Sequence, residues 1–531
     1  MRSSLCLALL LGGLASPALP QQAQGSAGNV AADDALTSKS AAELRADLDA
    51  GRTTSVALVR AYLARIEAID RNGPALHAVL AVNAQALEQA RTLDAERKRR
   101  KLRGPLHGIP VLLKDNIESI ELPTTAGSLA LRDNLTGRDA PIVANLRAAG
   151  AIILGKTNLS EWANFRSTHS VSGWSGLGGL TKNPHVLDRS ACGSSSGSGS
   201  AMAAGLAAAA VGTETDGSIV CPASLNGIVG VKPTLGLLSG ERIVPISHSQ
   251  DTAGPMTATV TDAALMLTAM AGRKPACKGC VTRDYAASLP AASLDGKRIG
   301  VLRFKAGRQP AVDPVYALAL EQLRAAGATL VEADFGDTDP IDAAEDIVLH
   351  AEFAPDLNAY LATTPAMVKT RTLADLIAFN ASQPRETALF GQEIFERAAK
   401  MPGLDDAAYV KALADSKRLA GAEGIDKVLK ENRLDLLVAP TTGPDWRFDF
   451  VNGDNYTGSF STLPAVAGYP HVTVPMGAIK GMPIGLSFIG TAFSEAQLLE
   501  AAYVYEQRSQ ARLRPQFLPS IDTAGAATAP L

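Results

Sequence analysis

The sequence predicts an α/β fold: a single large domain with a mixed β-sheet that helices cover on both faces. Apolar runs of strand length alternate with longer segments of helical periodicity, as in the series Arg298 to Leu302, Asp313 to Ala326 and Ala328 to Ala333. The chain has 531 residues, of which 46% are hydrophobic, so it is long and apolar enough to bury a core around such a sheet.

Helices begin the domain. From Ser40 to Asp70, apolar residues recur at helical spacing on either side of Gly51-Arg52-Thr53-Thr54, which predicts two helices with Ser or Thr caps. Asn83 to Arg100 predicts a further helix that ends in the basic run 97–101. A basic run can bind nucleic acid, but the solvated end of a helix is the commoner role for one.

The later elements alternate in type. The Ala-rich segment from Ser198 to Val211 predicts a buried helix, and the segment from Ala343 to Glu431 predicts a helical cap beside the sheet. The other predicted elements are a strand at Ile109 to Leu113, a helix at Pro141 to Ala149, and strands at Ala151 to Leu154, Leu434 to Ala439, Val472 to Val474 and Ile484 to Ile489.

The N-terminal residues predict export. Arg2 is followed by an apolar run from Leu5 to Leu14 and then by small residues, which is the layout of a secretory signal peptide and too short to span a bilayer comfortably. We therefore expect a signal peptide over 1–23, a linker over 24–34, the folded domain over 35–512 and a disordered tail over 513–531. The mature protein is expected to be periplasmic or secreted.

Charge and cysteine content narrow the range of partners. A net charge of −3 gives no electrostatic reason to expect nucleic acid or an anionic membrane, and we expect no membrane anchor and no obligate protein partner. Cys277-Lys278-Gly279-Cys280 is compatible with a metal knuckle, a redox pair or a local disulfide. A disulfide is the preferred interpretation, because no second Cys or His pair stands nearby at zinc spacing. Two further cysteines, Cys192 and Cys221, flank segments that are rich in serine and other small residues.

Three segments combine residue types that carry chemistry. In the run 108–116, Lys114 directly follows an apolar strand, and alone it indicates only a snorkelling side chain at a strand end. The Ser- and Gly-rich run 192–200 is typical of a linker, but a helical segment follows it at once. In the run 212–222, Ser218 follows small residues on a tight turn, where backbone N–H groups can converge on an oxyanion.

Together, these segments resemble the amidase-signature family. Ser194 and Ser218 stand 24 positions apart, which is the family's spacing between its two serines, and Lys114 lies in a match to its lysine motif. The chain departs from the family pattern at Cys192 and Ser196, where Gly is usual, and at Val220, where Arg is usual. Further matching blocks, which extend the resemblance over residues 35–512, are 124–128, 155–158, 231–234, 251–256, 439–441 and 483–486.

The resemblance implies an amidase-signature fold and a mechanism without cofactor or metal ion. Ser218 would be the nucleophile, and Ser194 would pass its proton to a neutral Lys114, giving a Ser-Ser-Lys triad and an acyl-enzyme. The implied oxyanion-hole donors are the backbone N–H groups of Thr215, Asp216, Gly217 and Ser218.

The resemblance also implies a substrate. The segment 157–166 is similar to a bacterial peptide-amidase branch, which releases ammonia from the C-terminal amides of peptides, so small-molecule or peptide amides are the expected substrates. The Gly193–Ser194 peptide bond is expected to be cis. Trp162, Phe165 and Trp174 are candidates for the wall of a substrate cleft, although buried aromatic residues are more often core.

Alternative interpretations differ in the site that they require. Gly193 to Gly197 also matches the nucleophile elbow of α/β-hydrolases, with Ser195 as nucleophile, but that motif needs a preceding strand, and residues 182–191 are polar and contain Pro184. An exported ligand-binding protein would need neither a nucleophile nor a neutral lysine. One component of a tRNA-dependent amidotransferase would share the family core but not the signal peptide.

Overall fold

The computed structural model describes residues 35–272, 283–304 and 308–521, and one mixed β-sheet organises them. A separate ribbon consists of Trp174–Ser175 (β4) and Gly179–Leu180 (β5). The strands of the main sheet are Val79–Val82 (β1), Pro110–Lys114 (β2), Ile152–Thr157 (β3), Ala209–Glu214 (β6), Val229–Lys232 (β7), Thr252–Thr257 (β8), Arg298–Val301 (β9), Thr329–Glu332 (β10), Leu436–Pro440 (β11), His471–Ile479 (β12) and Met482–Ile489 (β13).

The sheet mixes parallel and antiparallel neighbours in the order β1-β3-β2-β6-β8-β7-β12-β13-β11-β9-β10. Strand β2 runs parallel to β3 and β6, whereas β8 runs antiparallel to β6 and β7. All residues of β2, β3, β6 and β8 are buried, because the sheet is covered on both faces. The predicted fold class, a single large α/β domain with a mixed sheet, is confirmed.

Helices form both covering layers. The segment predicted as a cap between Ala343 and Glu431 is helical, and its aromatic side chains Phe353 and Phe395 pack with Trp162 in one buried cluster. The α-helices of four or more residues within the described ranges are Ala41–Asp49, Ser55–Arg65, Ala86–Lys98, Pro141–Ala148, Ser196–Ala203, Val220–Leu225, Val260–Ala271, Asp313–Ala325, Asp339–Leu361, Leu373–Ser382, Pro384–Thr387, Glu393–Ala398, Ala407–Lys417, Asp426–Glu431, Thr462–Ala467 and Glu495–Ser509.

The first two helices begin where the capping residues predict. The Ser40 side chain accepts from the Glu43 N–H, and the Glu43 side chain accepts from the Ser40 N–H in return, which is a complete capping box. The Thr54 side chain accepts from the Ala57 N–H at the start of the second helix. These bonds satisfy N–H groups that the first helical turn leaves without an intrahelical acceptor.

The Ala-rich segment is not one helix. The prediction of a helix from Ser198 to Val211 is wrong in its second half, because the helix ends at Ala203 and strand β6 begins at Ala209. Gly205 takes the left-handed conformation (φ 69°) that closes the helix. Alanine favours helix locally, but pairing with β2 and β8 decides the conformation of the following residues.

Parts of the predicted organisation lie outside the described residues. These are the signal peptide, the linker, Cys277 and Cys280, and the tail beyond residue 521. The start of the predicted disordered tail is described, and it packs on the domain: the Phe517 N–H donates to Pro184 O, and Leu518 O accepts from the Leu187 N–H. Within the described ranges, no helix has the length and hydrophobicity that a membrane span requires.

Candidate active site

Lys114, the last residue of β2, ends in a fully buried amine surrounded by neutral oxygen atoms. Its Nζ donates to Ser194 Oγ at 2.7 Å, to Thr213 Oγ1 at 2.8 Å and to Thr213 O at 3.2 Å. Asn116 Nδ2 also donates to Thr213 Oγ1, at 2.9 Å. The lysine and asparagine of the predicted lysine motif therefore meet on one threonine of strand β6, a residue that the sequence analysis did not single out.

Burial changes the proton affinity of this amine. Desolvation lowers the pKa of Lys114 to about 7, and the carboxylates of Asp251 and Glu214 oppose that shift only in part. Among the described residues, no carboxylate forms an ion pair with Lys114, since the adjacent Asp115 pairs with Lys156 instead. Lys114 is thus placed as a titratable amine and not as one half of a salt bridge.

Close packing places Ser194 against Lys114. The Gly193–Ser194 peptide bond is cis, as the resemblance implies. A Cβ atom at Gly193 would lie 2.1 Å from Ser160 Oγ, and one at Gly197 would lie 2.4 Å from a backbone carbonyl oxygen. The glycines of this motif are therefore required by the close approach of neighbouring segments, which a flexible linker would not show.

Ser195, the nucleophile of the alternative interpretation, is held inside the fold. Its Oγ donates to Thr213 O at 3.0 Å and accepts from the Thr213 N–H at 3.2 Å, and the side chain is fully buried. In the described chain, residues 182–191 contain isolated bridges but no strand. The nucleophile-elbow interpretation lacks both its strand and an accessible hydroxyl.

Ser218 lies on a tight turn at the wall of a cavity that the cap and the serine motifs share. The preceding Gly217 has φ 77°, a backbone conformation that glycine adopts without strain. The Glu214 carboxylate accepts from the N–H groups of Ile219 and Val220 at 2.7 and 3.0 Å, which closes the turn. Ser218 O accepts from a backbone N–H of the Ser194 segment at 3.1 Å, so the two serine motifs are in direct contact.

The backbone around Ser218 offers donors that nothing in the described protein uses. The N–H groups of Asp216, Gly217 and Ser218 make no hydrogen bond to any acceptor among the described residues. Thr215 also lines the cavity, where its side chain is turned toward Asp251 at 2.5 Å. Unpaired N–H groups beside a cavity are suited to a developing oxyanion.

The cavity has a volume of about 720 Å³, within the size range of small-molecule and peptide sites. Of the aromatic residues predicted for its wall, Phe165 lines it, whereas Trp162 and Trp174 are buried against Phe395 and Phe390. Ser194 and Lys114 are fully buried behind the wall that Ser218 forms. Other lining residues include Arg303, Arg308, Asp342, Trp446, Asp454 and Tyr456.

A disulfide between Cys192 and Cys221 joins the two serine motifs, with Cα atoms 6.0 Å apart. From the sequence we expected a different disulfide, between Cys277 and Cys280, and these two residues lie outside the described ranges. The pairing of Cys192 with Cys221 was not predicted. Two cysteines that each adjoin a motif of one site are a sequence signal for this pairing.

Arg166, which the sequence analysis did not single out as a functional residue, supports the wall that carries Phe165. Its fully buried guanidinium donates to Glu386 O at 2.5 Å, lies near the Glu161 carboxylate at 3.4 Å and stacks over the Phe390 ring at 4.3 Å. These contacts join the Phe165 segment to the helical cap. Burial raises the pKa of Glu161 well above its usual value, and the nearby Glu386 carboxylate adds to that rise while the Arg166 guanidinium opposes it.

One group of side chains in the described residues has the composition of a metal site. His248, Glu352 and Asp356 bring possible ligand atoms within 4.8 Å of one another. However, His248 Nδ1 faces Asp356 at 2.9 Å, while its Nε2 faces Glu352 at 3.4 Å. Because each ring nitrogen already meets a different carboxylate, this arrangement suits a hydrogen-bonded cluster better than a shared metal ion.

Known proteins resemble this chain over nearly its whole described length. A family described as Amidase matches residues 57–499. A probable amidase from Arabidopsis thaliana is 40% identical over 499 residues, covering 90% of this chain and 91% of that protein. A component of the glutamyl-tRNA(Gln) amidotransferase of Moorella thermoacetica is 36% identical over 474 residues, covering 86% and 94%.

Solved structures agree in fold. The native peptide amidase from Stenotrophomonas maltophilia is 50% identical with a TM-score of 0.85, and the match covers 90% of this chain and 98% of that one. The peptide amidase PAM in complex with the competitive inhibitor chymostatin is 51% identical with a TM-score of 0.87, covering 90% and 99%. These matches favour an enzyme over a ligand-binding protein. The chain belongs to the amidase family and is an amide hydrolase.

Proposed function

We propose that the enzyme hydrolyses carboxamides through an acyl-enzyme on Ser218, with Lys114 as general base and Ser194 as the proton relay between them. The observation that carries this proposal is the 2.7 Å separation between Lys114 Nζ and Ser194 Oγ, which brings a neutral amine within reach of the Ser194 proton beside the cavity that Ser218 lines. A lysine acts as a base only when it is neutral, and a pKa of about 7 leaves a large neutral fraction near neutral pH.

Acylation begins when Ser218 Oγ attacks the carbonyl carbon of the amide. The Ser218 proton passes to Ser194 Oγ, and the Ser194 proton passes to Lys114 Nζ, so the amine becomes an ammonium and no charge develops on Ser194. The carbonyl oxygen gains a negative charge, which the N–H groups of Asp216 and Gly217 are placed to stabilise. As the C–N bond breaks, the proton returns through Ser194 to the leaving nitrogen, and ammonia departs.

Deacylation repeats the same transfers with water as the nucleophile. Water attacks the ester carbonyl, its proton reaches Lys114 through the serine hydroxyls, and Ser218 recovers a proton when the ester bond breaks. The products are the carboxylic acid and the free enzyme. Each step uses one amine, two hydroxyls and backbone donors, and requires no further group from the protein.

We propose peptides with a C-terminal amide as the substrates. The cavity of about 720 Å³ is far larger than a carboxamide group and has room for several residues of an extended peptide. Its wall combines the aromatic residues Phe165, Trp446 and Tyr456 with charged side chains, which suits a chain of mixed side chains and backbone amides. The identity of 50% to a structure described as a peptide amidase supports the same substrate class.

Ammonia release from a matched substrate panel tests this function. The panel contains an N-acyl dipeptide amide, the same dipeptide as free acid, the corresponding amino-acid amide and an aryl amide. We expect kcat/KM to be highest for the dipeptide amide, with no cleavage of the internal peptide bond. Hydrolysis of the other amides without the dipeptide amide would contradict the substrate class and leave the amidase activity standing, and Ser218→Ala serves as the inactive control.

We further propose that the enzyme acts after export, on small-molecule or peptide amides and without an obligate protein partner. The support is the order of charged, apolar and small residues at the N-terminus. Intact-mass measurement on protein from the native host tests this, with loss of roughly the first 18–24 residues expected. A full-length species confined to the cytoplasm would contradict it.

A further inference from the structure

A covalent bond spans the two serine-bearing segments of the site. Cys192 lies just before Ser194 in the sequence and Cys221 lies just after Ser218, and the two cysteines form a disulfide across a sequence separation of 29 residues. Both cysteines line the cavity, and Trp446 packs against them. The bond therefore belongs to the wall of the active site and is not a remote staple.

Hydrogen bonds also join these segments, but they are of a different kind. The Ser195 N–H donates to Ser218 O at 3.1 Å, and Asn226 Nδ2 donates to Ala191 O at 2.9 Å. Hydrogen bonds can lengthen or exchange with water, whereas a disulfide confines the Cα separation of its two residues to a narrow range. The disulfide is the contact best able to fix the spacing between the segments.

The backbone of Cys192 points to a role for its sulfur. Its φ of 54° lies in the left-handed region, which glycine adopts freely and residues with a Cβ adopt only at a cost. A glycine at this position would retain the turn and remove that cost. What a cysteine adds over glycine here is its sulfur atom, and in this structure the sulfur is bonded to Cys221.

We propose that the Cys192–Cys221 disulfide is a positioning element that limits how far the segments carrying Ser194 and Ser218 can move apart. The inference rests on the proposed roles of the two serines. A proton relay needs heavy atoms about 2.6–3.2 Å apart, so a relative shift of about 1 Å between the segments would interrupt it. Substrate binding would change less, because most of the cavity wall comes from other segments.

Two double variants test the proposal: C192S/C221S, which keeps the side-chain size, and C192G/C221A, which also removes the backbone cost at position 192. We expect kcat per titratable serine to fall at least about tenfold in both, with KM changing less than about threefold. The labelling rate of Ser218 with a fluorophosphonate probe should fall by a similar factor. If the bond only stabilised the fold, its loss would lower the thermal midpoint and leave both rates per folded enzyme unchanged.

The variant C277S/C280S is the matched control, since it removes two cysteines from a segment remote in sequence from both motifs. If a double variant does not fold, the wild-type enzyme is reduced with dithiothreitol, which supplies two electrons and closes to its own disulfide while Cys192 and Cys221 become thiols. Alkylation and mass spectrometry then verify the thiols, and reoxidation should restore the rate.

The outcomes separate this inference from the proposed function. A wild-type enzyme that the fluorophosphonate does not label would overturn the proposed function. A labelled wild type with equally fast double variants, or with an unchanged rate after verified reduction, would overturn only the positioning role. The absence of a Cys192–Cys221 linked peptide in the purified native enzyme would overturn it as well.

Discussion

Two buried lysines lie side by side in the sheet and face different surroundings. Lys114 ends β2, and Lys156 lies in the neighbouring parallel strand β3, where it pairs with the residue before Lys114. Both side chains are withdrawn from solvent, and desolvation lowers the pKa of both amines. Their burial is equivalent, so any difference in their chemistry comes from their partners.

Lys156 has a complete set of acceptors that includes a charge. Its Nζ donates to Asp115 Oδ1 at 3.3 Å, Ile117 O at 2.6 Å and Thr124 Oγ1 at 2.9 Å, and the Asp115 charge opposes the fall in its pKa. Lys114 meets only neutral oxygens at hydrogen-bonding distance. The comparison indicates that a buried amine without a paired carboxylate, such as Lys114, is better suited to act as a base than one that holds a carboxylate, such as Lys156.

The largest expected effect is that of Lys114→Arg. We expect kcat/KM on a good amide substrate to fall about 10³-fold or more, because guanidinium does not lose its proton near neutral pH and cannot serve as the base. Steady-state kinetics give the result, with circular dichroism as the control for folding. Activity near that of the wild type would contradict a general-base role for Lys114. It would also contradict the proposed difference in chemistry between Lys114 and Lys156.

Ser194→Ala is expected to cost less, about 10²-fold in kcat/KM. The variant removes the relay between Lys114 and Ser218, but a water molecule can occupy the space of the hydroxyl and pass the proton. The same kinetic assay measures it, and Ser195→Ala is the matched control, since that neighbouring hydroxyl is bonded to Thr213 and does not line the cavity. An equal loss in both variants would show that the motif acts only through packing.

The pH profile should carry the signature of Lys114. Its pKa of about 7 means that the amine is mostly protonated, and so inactive as a base, below that pH. We expect kcat/KM to rise about tenfold per pH unit up to that value and then to level off, as the neutral fraction approaches one. Measurements between pH 5 and pH 9 in buffers of constant ionic strength test this. A flat profile across pH 6–8 would contradict a titrating base.

The candidate site residues that lie in continuous motifs can be identified from the sequence alone. Lys114, Ser194 and Ser218 were singled out from motif order and spacing, and the cis bond at Gly193 was expected from the same resemblance. Strands and capped helices were also recognisable, because their periodicity and caps are local properties. Local patterns identify a segment's type, and motifs identify which segments must meet.

The partners of these residues were not predictable, because they arise from pairing between distant segments. Thr213 reaches Lys114 only because an alanine-rich sequence forms strand β6 beside β2, against its local preference for helix. Cys192 and Cys221 are 29 positions apart, so no rule of spacing pairs them, and their places beside the two serine motifs are the one sequence signal for the bond. Asp115 forms its ion pair with Lys156 and not with Lys114 because of the directions of the side chains at the strand end, which the sequence does not reveal.

Lys156→Met is expected to have the smallest effect on activity per folded enzyme. Its stability, measured beside that of Lys114→Met, tests the comparison most directly. Removing Lys156 leaves the Asp115 carboxylate buried without its cation, and an orphaned buried charge costs about 3–5 kcal/mol of unfolding free energy. Removing Lys114 leaves no buried carboxylate without its partner, so the thermal midpoint of Lys114→Met should stay well above that of Lys156→Met. Lys114→Met should nevertheless lose activity, because it lacks the proposed base.

The pH dependence of these midpoints sharpens the test. Without Lys156, burial raises the pKa of Asp115 above its value in the unfolded chain, so the folded variant gains stability as pH falls and loses it as pH rises through that pKa. The difference in thermal midpoint between the wild type and Lys156→Met should therefore narrow toward acidic pH. The difference between the wild type and Lys114→Met should not depend on the titration of Asp115. Thermal unfolding at pH 5 and pH 8 measures both. Equal thermal midpoints of the two Met variants at pH 8 would contradict the claim that the ion pair with Asp115 distinguishes Lys156 from Lys114.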